Sequence, residues 1–308
     1  MFKKFLSRST PNGAREPALS PVSAPHAPRP EAQPAGYRRI DLEYPIHPRP
    51  RSLKYGPAGE RLMATLAASV PAATELVRQV TRFHPQFLAI EKEPRPEADP
   101  AAPTWVNGWF PAFDAVMLYG LLALRNPRHY VEVGSGNSTR FARRAIRDHG
   151  LRTRIISIDP CPRAEIDALC DQVVRSPLEE VEFQSADQIT AEDLLFVDSS
   201  HRSFQNSDVT VFFTEILPAL PPGLVYGMHD IYLPNDYPPE WEQRFYSEQY
   251  LLATYLAAGA DGDEVLAPLA YLFHETQLLK EFALTFDPKG LTEAERYGNS
   301  FWMKKGRR

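Results

Sequence analysis

The sequence predicts an α/β fold: a mostly parallel sheet of seven strands with helices on both faces, behind a helical N-terminal extension and a disordered proline-rich tail. Three observations predict it. From Trp105 onward, short apolar runs alternate with amphipathic helical stretches. The first run enters a glycine turn and then a basic helix, "HYVEVGSGNSTRFARRAI", His129 to Ile146. Two later runs end in acids and histidines, "LLFVDSSHRSF" and "GLVYGMHDIYLP".

Taken in order, residues 1–50 hold ten of the thirty prolines and cannot bury a core. Residues 58–90 carry helical spacing in Leu62, Leu66, Val70, Leu76, Val77, Val80 and Phe83, and Pro71 is expected to split them into two helices. Residues 91–103 read as a linker, which divides the chain into 1–50, 51–103 and 104–308. "FPAFDAVMLYGLLALR" is a helix. Strands are expected at Tyr130–Val133, Ile155–Ile158, Gln172–Val174, Leu194–Val197 and Leu224–Gly227. Helices are expected at Ser138–Asp148, Pro162–Leu169 and Ser207–Leu220. A long helix (Trp241–Ala258), a strand region (Val265–Phe273), a helix (Gln277–Phe282) and a last strand in "SFWMKK" complete the pattern. Short apolar strands separated by helices mean a parallel sheet covered on both faces.

The formal net charge of −5 divides into +6 over residues 1–55 and −11 over the rest. A net-acidic globular part argues against nucleic acid as the partner, since phosphate binding needs a basic face. No apolar run is long enough for a membrane span, though the basic N-terminus could touch an anionic membrane weakly. Cys161 and Cys170 match neither a redox pair nor a zinc pattern, which suggests a reducing, cytoplasmic setting.

In an open parallel sheet, ligands bind at the carboxyl ends of the strands, where the strand order reverses. "VEVGSGNST" stands at such an end. Gly134 and Gly136 allow a tight turn and close backbone approach. Asn137, Ser138 and Thr139 begin a helix, with side chains suited to N-capping, whose first N–H groups can take a carboxylate or phosphate. The dinucleotide fingerprint G-x-G-x-x-G lacks its third glycine here, because Thr139 stands in that place. Glu132, two residues before Gly134, suits an ammonium or sulfonium better than a pyrophosphate. Asp159, at the end of the next strand, is placed to grip ribose hydroxyls.

Glu132-x-Gly134-x-Gly136 followed by Asp159 resembles the first two motifs of class I S-adenosylmethionine-dependent methyltransferases, with the likeness running from about Asn107 to Met303. The resemblance implies a Rossmann-like seven-stranded fold. It also implies S-adenosylmethionine as cofactor, held by Glu132, Gly134, Ser135, Gly136, Asn137, Ser138, Asp159 and Asp198.

Asp198, His201, His229 and Asp230 follow adjacent strands and should converge beside the donor. Two roles are physically reasonable. Asp198 and Asp230, with His229, could hold Mg²⁺ or another divalent metal that lowers the pKa of a substrate oxygen. Alternatively, His201 could act as general base for an acceptor hydroxyl, with Asp198 beside it in the catalytic pair. "D-S-S-H" and "H-D-I" resemble the small-molecule O-methyltransferases that include macrolide-sugar enzymes; this implies Asp198 and Asp230 as metal ligands, His201 as base and a small-molecule or glycan hydroxyl as acceptor. The other readings are an NAD(P)-dependent oxidoreductase on the same kind of sheet and a methyltransferase-like binding protein without catalysis.

Overall fold

Seven strands form one sheet in the order β3-β2-β1-β4-β5-β7-β6. They are β1 (His129–Val133), β2 (Arg154–Ile158), β3 (Gln172–Val174), β4 (Leu194–Val197), β5 (Val225–Met228), β6 (Glu264–Pro268) and β7 (Phe301–Lys304). β1 to β5 pair in parallel, and β7 runs antiparallel to both β5 and β6. The computed structural model describes residues 46–95, 97, 99, 101–162, 165–182, 189–279, 290–291 and 293–307. The proline-rich tail expected over residues 1–50 falls almost wholly outside that set.

Every residue of β4 and β5 is buried. That is the signature of parallel strands covered on both faces, and it explains why these runs are apolar without alternation. α3 (Ala112–Arg125) is buried at every position from Ala112 to Leu122, so it reads as apolar on all sides. α4 (Asn137–His149) instead buries only Phe141, Ala142, Ala145, Ile146 and its first residues, and turns its arginines outward.

Several elements depart from expectation, and burial decides each case. Pro71 does not split the N-terminal helix: α1 runs unbroken from Gly56 to Val80. A mid-helix proline costs about 3 kcal/mol. The buried stripe Leu62, Leu66, Ala73, Val77 and Val80 continues on both sides of it, against α3 and β6. Each large apolar side chain buried there contributes about 1.5–3 kcal/mol, so the stripe outweighs the proline. The contact is close, since a side chain at Gly120 of α3 would begin 2.5 Å from Val80 Cγ2. Residues from Pro48 onward therefore form one unit, without a separate core before residue 103.

No helix spans Pro162–Leu169; the described part holds only a 3₁₀ turn, Asp167–Leu169, that buries Ile166 and Leu169 and leads into β3. The helical run after β4 is continuous but changes pitch, from α5 (Asp208–Val211) through a π turn (Phe212–Ile216) into α6 (Leu217–Ala219). The helix expected over Trp241–Ala258 is two pieces. A 3₁₀ helix (Pro239–Arg244) ends at Phe245, whose φ is 52°, and α7 (Glu248–Ala257) starts afresh. The carbonyl of His201 accepts the N–H groups of Ser247 and Glu248 at 2.8 and 3.2 Å, which fixes that start. The strand region Val265–Phe273 is β6 ending at Pro268 and then a helix, Leu269–Glu275. Half of the helix expected at Gln277–Phe282, residues 280–282, lies outside the described residues.

Gly227 of β5 lies opposite Trp302 of β7, and a side chain at residue 227 would begin 2.6 Å from the indole ring. Trp302 in turn stacks on Phe196 of β4 at 5.2 Å between ring centres. Gly227→Ala should therefore overpack the sheet and lower unfolding free energy by about 1–3 kcal/mol, read by chemical denaturation. An unchanged denaturation midpoint would show that this contact yields freely.

Candidate active site

Strand register lines up the residues that matter. Val133 pairs with Ile158 and with Val197, and Val197 pairs with Met228. The next residues, Gly134, Asp159, Asp198 and His229, therefore stand side by side along one edge, at the point where the order turns from β1-β2 to β1-β4. This is the place where open α/β sheets bind ligands.

The glycine turn is tied down from below. Gly134 has φ +77°, and a side chain there would begin 1.8 Å from the Asp198 carbonyl oxygen. Ser135 N–H donates to Asp159 at 2.8 Å, and Cys161 N–H donates to the other Asp159 oxygen at 2.8 Å. Gly136 N–H donates to Thr139 Oγ1 at 3.0 Å, and the space above Gly136 is open. Glu132 does not face that space. It is fully buried beneath the turn, where the hydroxyls of Tyr130 and Thr139 donate to its two oxygens. Burial pushes its pKa up to about 7, against the lowering effect of hydrogen bonds from Ser138, Thr139 and Tyr130. Glu132 thus ties β1 to the start of α4, and Thr139 does the closing work that a third glycine would leave undone.

At the other end of the edge, Asp198, His201, His229 and Asp230 converge as expected. His201 Nε2 lies 3.2 Å from Asp198 Oδ1 and 3.4 Å from Asp230 Oδ2. His229 Nδ1 lies 3.3 Å from Asp198 Oδ1 and 3.5 Å from Asp230 Oδ1. Each imidazole has a buried carboxylate on its outer nitrogen: Glu248 at 2.8 Å from His201 Nδ1, and Asp114 at 3.3 Å from His229 Nε2. Burial alone would lower the pKa of both histidines, but the surrounding carboxylates outweigh it and hold both well above the ordinary value. Burial would likewise raise Asp198, yet His229 and His201 draw it well below the carboxylate range.

Sequence reasoning missed four residues of the site. Asp114 begins an otherwise apolar helix and is fully buried, accepting N–H bonds from Asn299 and Ser300 as well as facing His229. A lone acid in "FPAFDAVMLYGLL" was the available signal. Glu248 gave none, because acids in a first helical turn are ordinary. Asn299, from the loop before β7, donates to Asp230 at 2.9 Å. Arg244 lines the cleft from the 3₁₀ segment.

One cavity of about 530 Å³ joins both ends of the edge. Gly134, Ser135, Gly136, Asn137, Ser138 and Asp159 line one part of it, with Ile158, Pro160, Pro177 and Leu178 as an apolar wall. Asp198, His201, His229 and Asp230 line the other, with Trp241, Tyr246 and Tyr297. Of the segment before α3, Phe110 is buried, whereas Trp109, which lines the cavity, is 58% exposed. Among the described residues, the three groups whose ligand atoms all lie within 4.8 Å of one another are Asp198, His201 and Asp230; His229, which the sequence reading grouped with the two aspartates, lies 3.3 and 3.5 Å from their oxygens.

Residues 131–231 match the family model described as a methyltransferase domain, about a third of the chain. That stretch resembles a methyltransferase domain, and it runs from β1 to the residues just after β5 of the sheet described above. Among solved structures it is similar to the O-methyltransferase from Bacillus cereus in complex with SAH, at 14% identity over 76% of this chain and 91% of that one, TM-score 0.38. It is also similar to the O-methyltransferase TomG from Streptomyces achromogenes, involved in tomaymycin synthesis, in complex with SAM, at 17% identity over 80% and 98%, TM-score 0.38. A third is the MycE methyltransferase from the mycinamycin pathway in complex with Mg, SAH and mycinamycin VI, at 16% identity over 58% and 45%, TM-score 0.32. No curated protein matches the chain in sequence. Among the described residues no helix is long and apolar enough to cross a membrane.

The Glu132 carboxyl has a folded pKa of about 7 against 4.5 for an unperturbed glutamate. The folded protein therefore binds more protons than the unfolded one between those values, and stability falls as pH rises through that window. Glu132→Gln, fixed in a neutral state, removes this slope. Thermal melts from pH 5 to pH 8 should show the difference in Tm moving steadily in the variant's favour; a constant difference would place the Glu132 charge elsewhere.

Proposed function

We propose that the protein is an S-adenosylmethionine-dependent O-methyltransferase acting on a small-molecule hydroxyl. The observation that carries this reading is the single cavity that runs from the glycine turn to the Asp198–His201–Asp230 group. A donor bound at the turn would direct its methyl group toward that acidic end, and a volume of this size suits a cofactor together with a modest acceptor. The residues present fit such a donor. The open face of Gly136 and the first N–H groups of α4 receive its carboxylate. Asp159 keeps free lone pairs on both oxygens for ribose hydroxyls. The acids at Asp198 and Asp230 suit a cationic sulfonium.

The donor set also fits a divalent cation. Two carboxylates and the inner nitrogen of His201 converge, while Glu248 on the outer nitrogen orients the ring as outer carboxylates do for metal-bound histidines. Four carboxylates against two imidazoles leave the cluster with excess negative charge even when both rings are protonated. Asp198, Asp230 and His201 would hold the ion, with His229 backing both acids; the ion would supply a Lewis acid that lowers the pKa of an acceptor hydroxyl. The second reading keeps His201 as general base. It rests on the same Nε2, which lies at the cavity end, and it requires that nitrogen to be freed of its proton first.

Calorimetry with S-adenosylhomocysteine should show binding at one site, weakened at least about tenfold by Asp159→Ala through loss of charge-assisted bonds. No binding at millimolar ligand would remove the methyltransferase reading. Separately, Mn²⁺ should bind the same protein at one site, and Asp230→Asn should abolish that binding. Equal Mn²⁺ binding by both proteins would leave His201 as base with no ion at this site.

A further inference from the structure

The charges lining the cavity are unequal in kind. Asp159, Glu179, Asp198, Asp208 and Asp230 line it, and Arg244 is the one arginine or lysine among the described residues that does. Most of the acids are engaged. Asp159 accepts two backbone N–H groups, Asp208 accepts the backbone and hydroxyl of Ser200, and Asp198 and Asp230 share the imidazoles. Arg244 has no carboxylate within ion-pair distance among the described residues. Its guanidinium instead sits 4.0 Å from the centre of the Trp241 ring and 5.6 Å from that of Tyr246. Stacking of this kind fixes a guanidinium while leaving its in-plane N–H donors available, a fork that matches a carboxylate in two-point contact.

The neighbouring arginine differs. Arg202 donates to the carbonyl of Arg244 at 2.8 Å and to that of Ser200 at 3.0 Å, so it braces the two loops. The Tyr246 ring neighbours both the fork and the histidine, with its centre 5.6 Å from the Arg244 guanidinium and 4.6 Å from the His201 ring. Arg244 is thus one aromatic ring away from Asp198, His201 and Asp230. The same cavity is lined by Trp241, Tyr246 and Tyr297, aromatic side chains that suit a flat body.

We infer that the methyl acceptor is a hydroxylated aromatic acid, whose carboxylate is held by Arg244 while its hydroxyl reaches the Asp198–His201–Asp230 end. This rests on the methyltransferase reading and adds the substrate class. The acidic lining elsewhere strengthens the assignment, because an anion finds favourable charge at Arg244 and repulsion at the carboxylates beyond it.

The test uses 3,4-dihydroxybenzoate and its methyl ester, two flat hydroxylated compounds that differ in the anionic group. Each is titrated calorimetrically into the full chain saturated with S-adenosylhomocysteine. The acid should bind at least about tenfold more tightly than the ester. In Arg244→Gln the preference should vanish through loss of acid binding alone, and Arg244→Lys should restore part of it, with melting temperatures reporting that each variant is folded. The inference is overturned if acid and ester bind alike, if the acid does not bind, or if Arg244→Gln keeps the preference. It is also overturned if Arg244→Gln weakens S-adenosylhomocysteine, since the fork would then hold the donor's carboxylate. Failure of the wild-type protein to bind S-adenosylhomocysteine at all defeats the methyltransferase reading instead, and is seen before either acceptor is added.

Discussion

The carbonyl oxygen of Asp198 occupies the space where a side chain at residue 134 would begin. The rest of the site depends on that contact. The Asp198 N–H also donates to the Val133 carbonyl at 2.8 Å, so the exits of β1 and β4 touch through backbone alone. Asp159 joins them from β2 by accepting the Ser135 N–H. Three neighbouring strand ends are therefore locked before any side chain is asked to bind a ligand. Only glycine satisfies both demands at residue 134, a positive φ and no Cβ. The distance between the open turn and the first acid of the Asp198–His201–Asp230 group is consequently a property of the sheet.

The second constraint is electrostatic. Burying Asp114, Glu248 and two imidazoles is tolerable only because each charge meets an opposite one at hydrogen-bond range. His201 shows how few residues arrange this. Its φ of 59° and that of Asp230, 55°, put two non-glycine residues in a costly region of backbone space. The turn at 201 sends its carbonyl toward Ser247 and Glu248, which starts α7, and the first residue of α7 supplies the carboxylate on the His201 ring. One local conformation thus aims the imidazole, begins the helix and places the group that orients the imidazole.

Much of this was legible in the sequence, for a physical reason. Strand ends in a parallel sheet are marked by apolar runs stopping at polar residues, so Gly134, Asp159, Asp198, His229 and Asp230 could be set along one edge from the chain alone. What resisted reading was whatever depends on distant packing. Glu132 looks like a ligand from its spacing, yet the neighbouring Tyr130 and Thr139 hydroxyls draw it under the turn. Pro71 looks like a break, yet the buried stripe of α1 holds the helix through it. Glu248 lies 47 residues from His201, and nothing in a period of two or of 3.6 residues joins them.

The walls of the cleft bear on how selectivity can arise. The aromatic loop after Asp230 has the look of a lid, but it is fastened at several points. Arg202 joins the carbonyls of Arg244 and Ser200, and the Ser203 N–H and hydroxyl both meet the Ser247 hydroxyl at 2.9 Å. On the opposite side, Asn107 accepts the N–H groups of Trp109 and Phe110 and donates to Thr104 and Phe110, while Asn137 of α4 donates to it. Opening either wall by a rigid swing would break several of these bonds together, each contributing about 0.5–1.5 kcal/mol. A ligand entering the cleft would accordingly meet two standing walls, and discrimination would fall to their shape and to the few charges fixed on them. Under the proposed function, a cleft of that kind would distinguish acceptors by where a polar group sits relative to the reacting oxygen, and a stacked arginine beside Tyr246 is well placed to measure it.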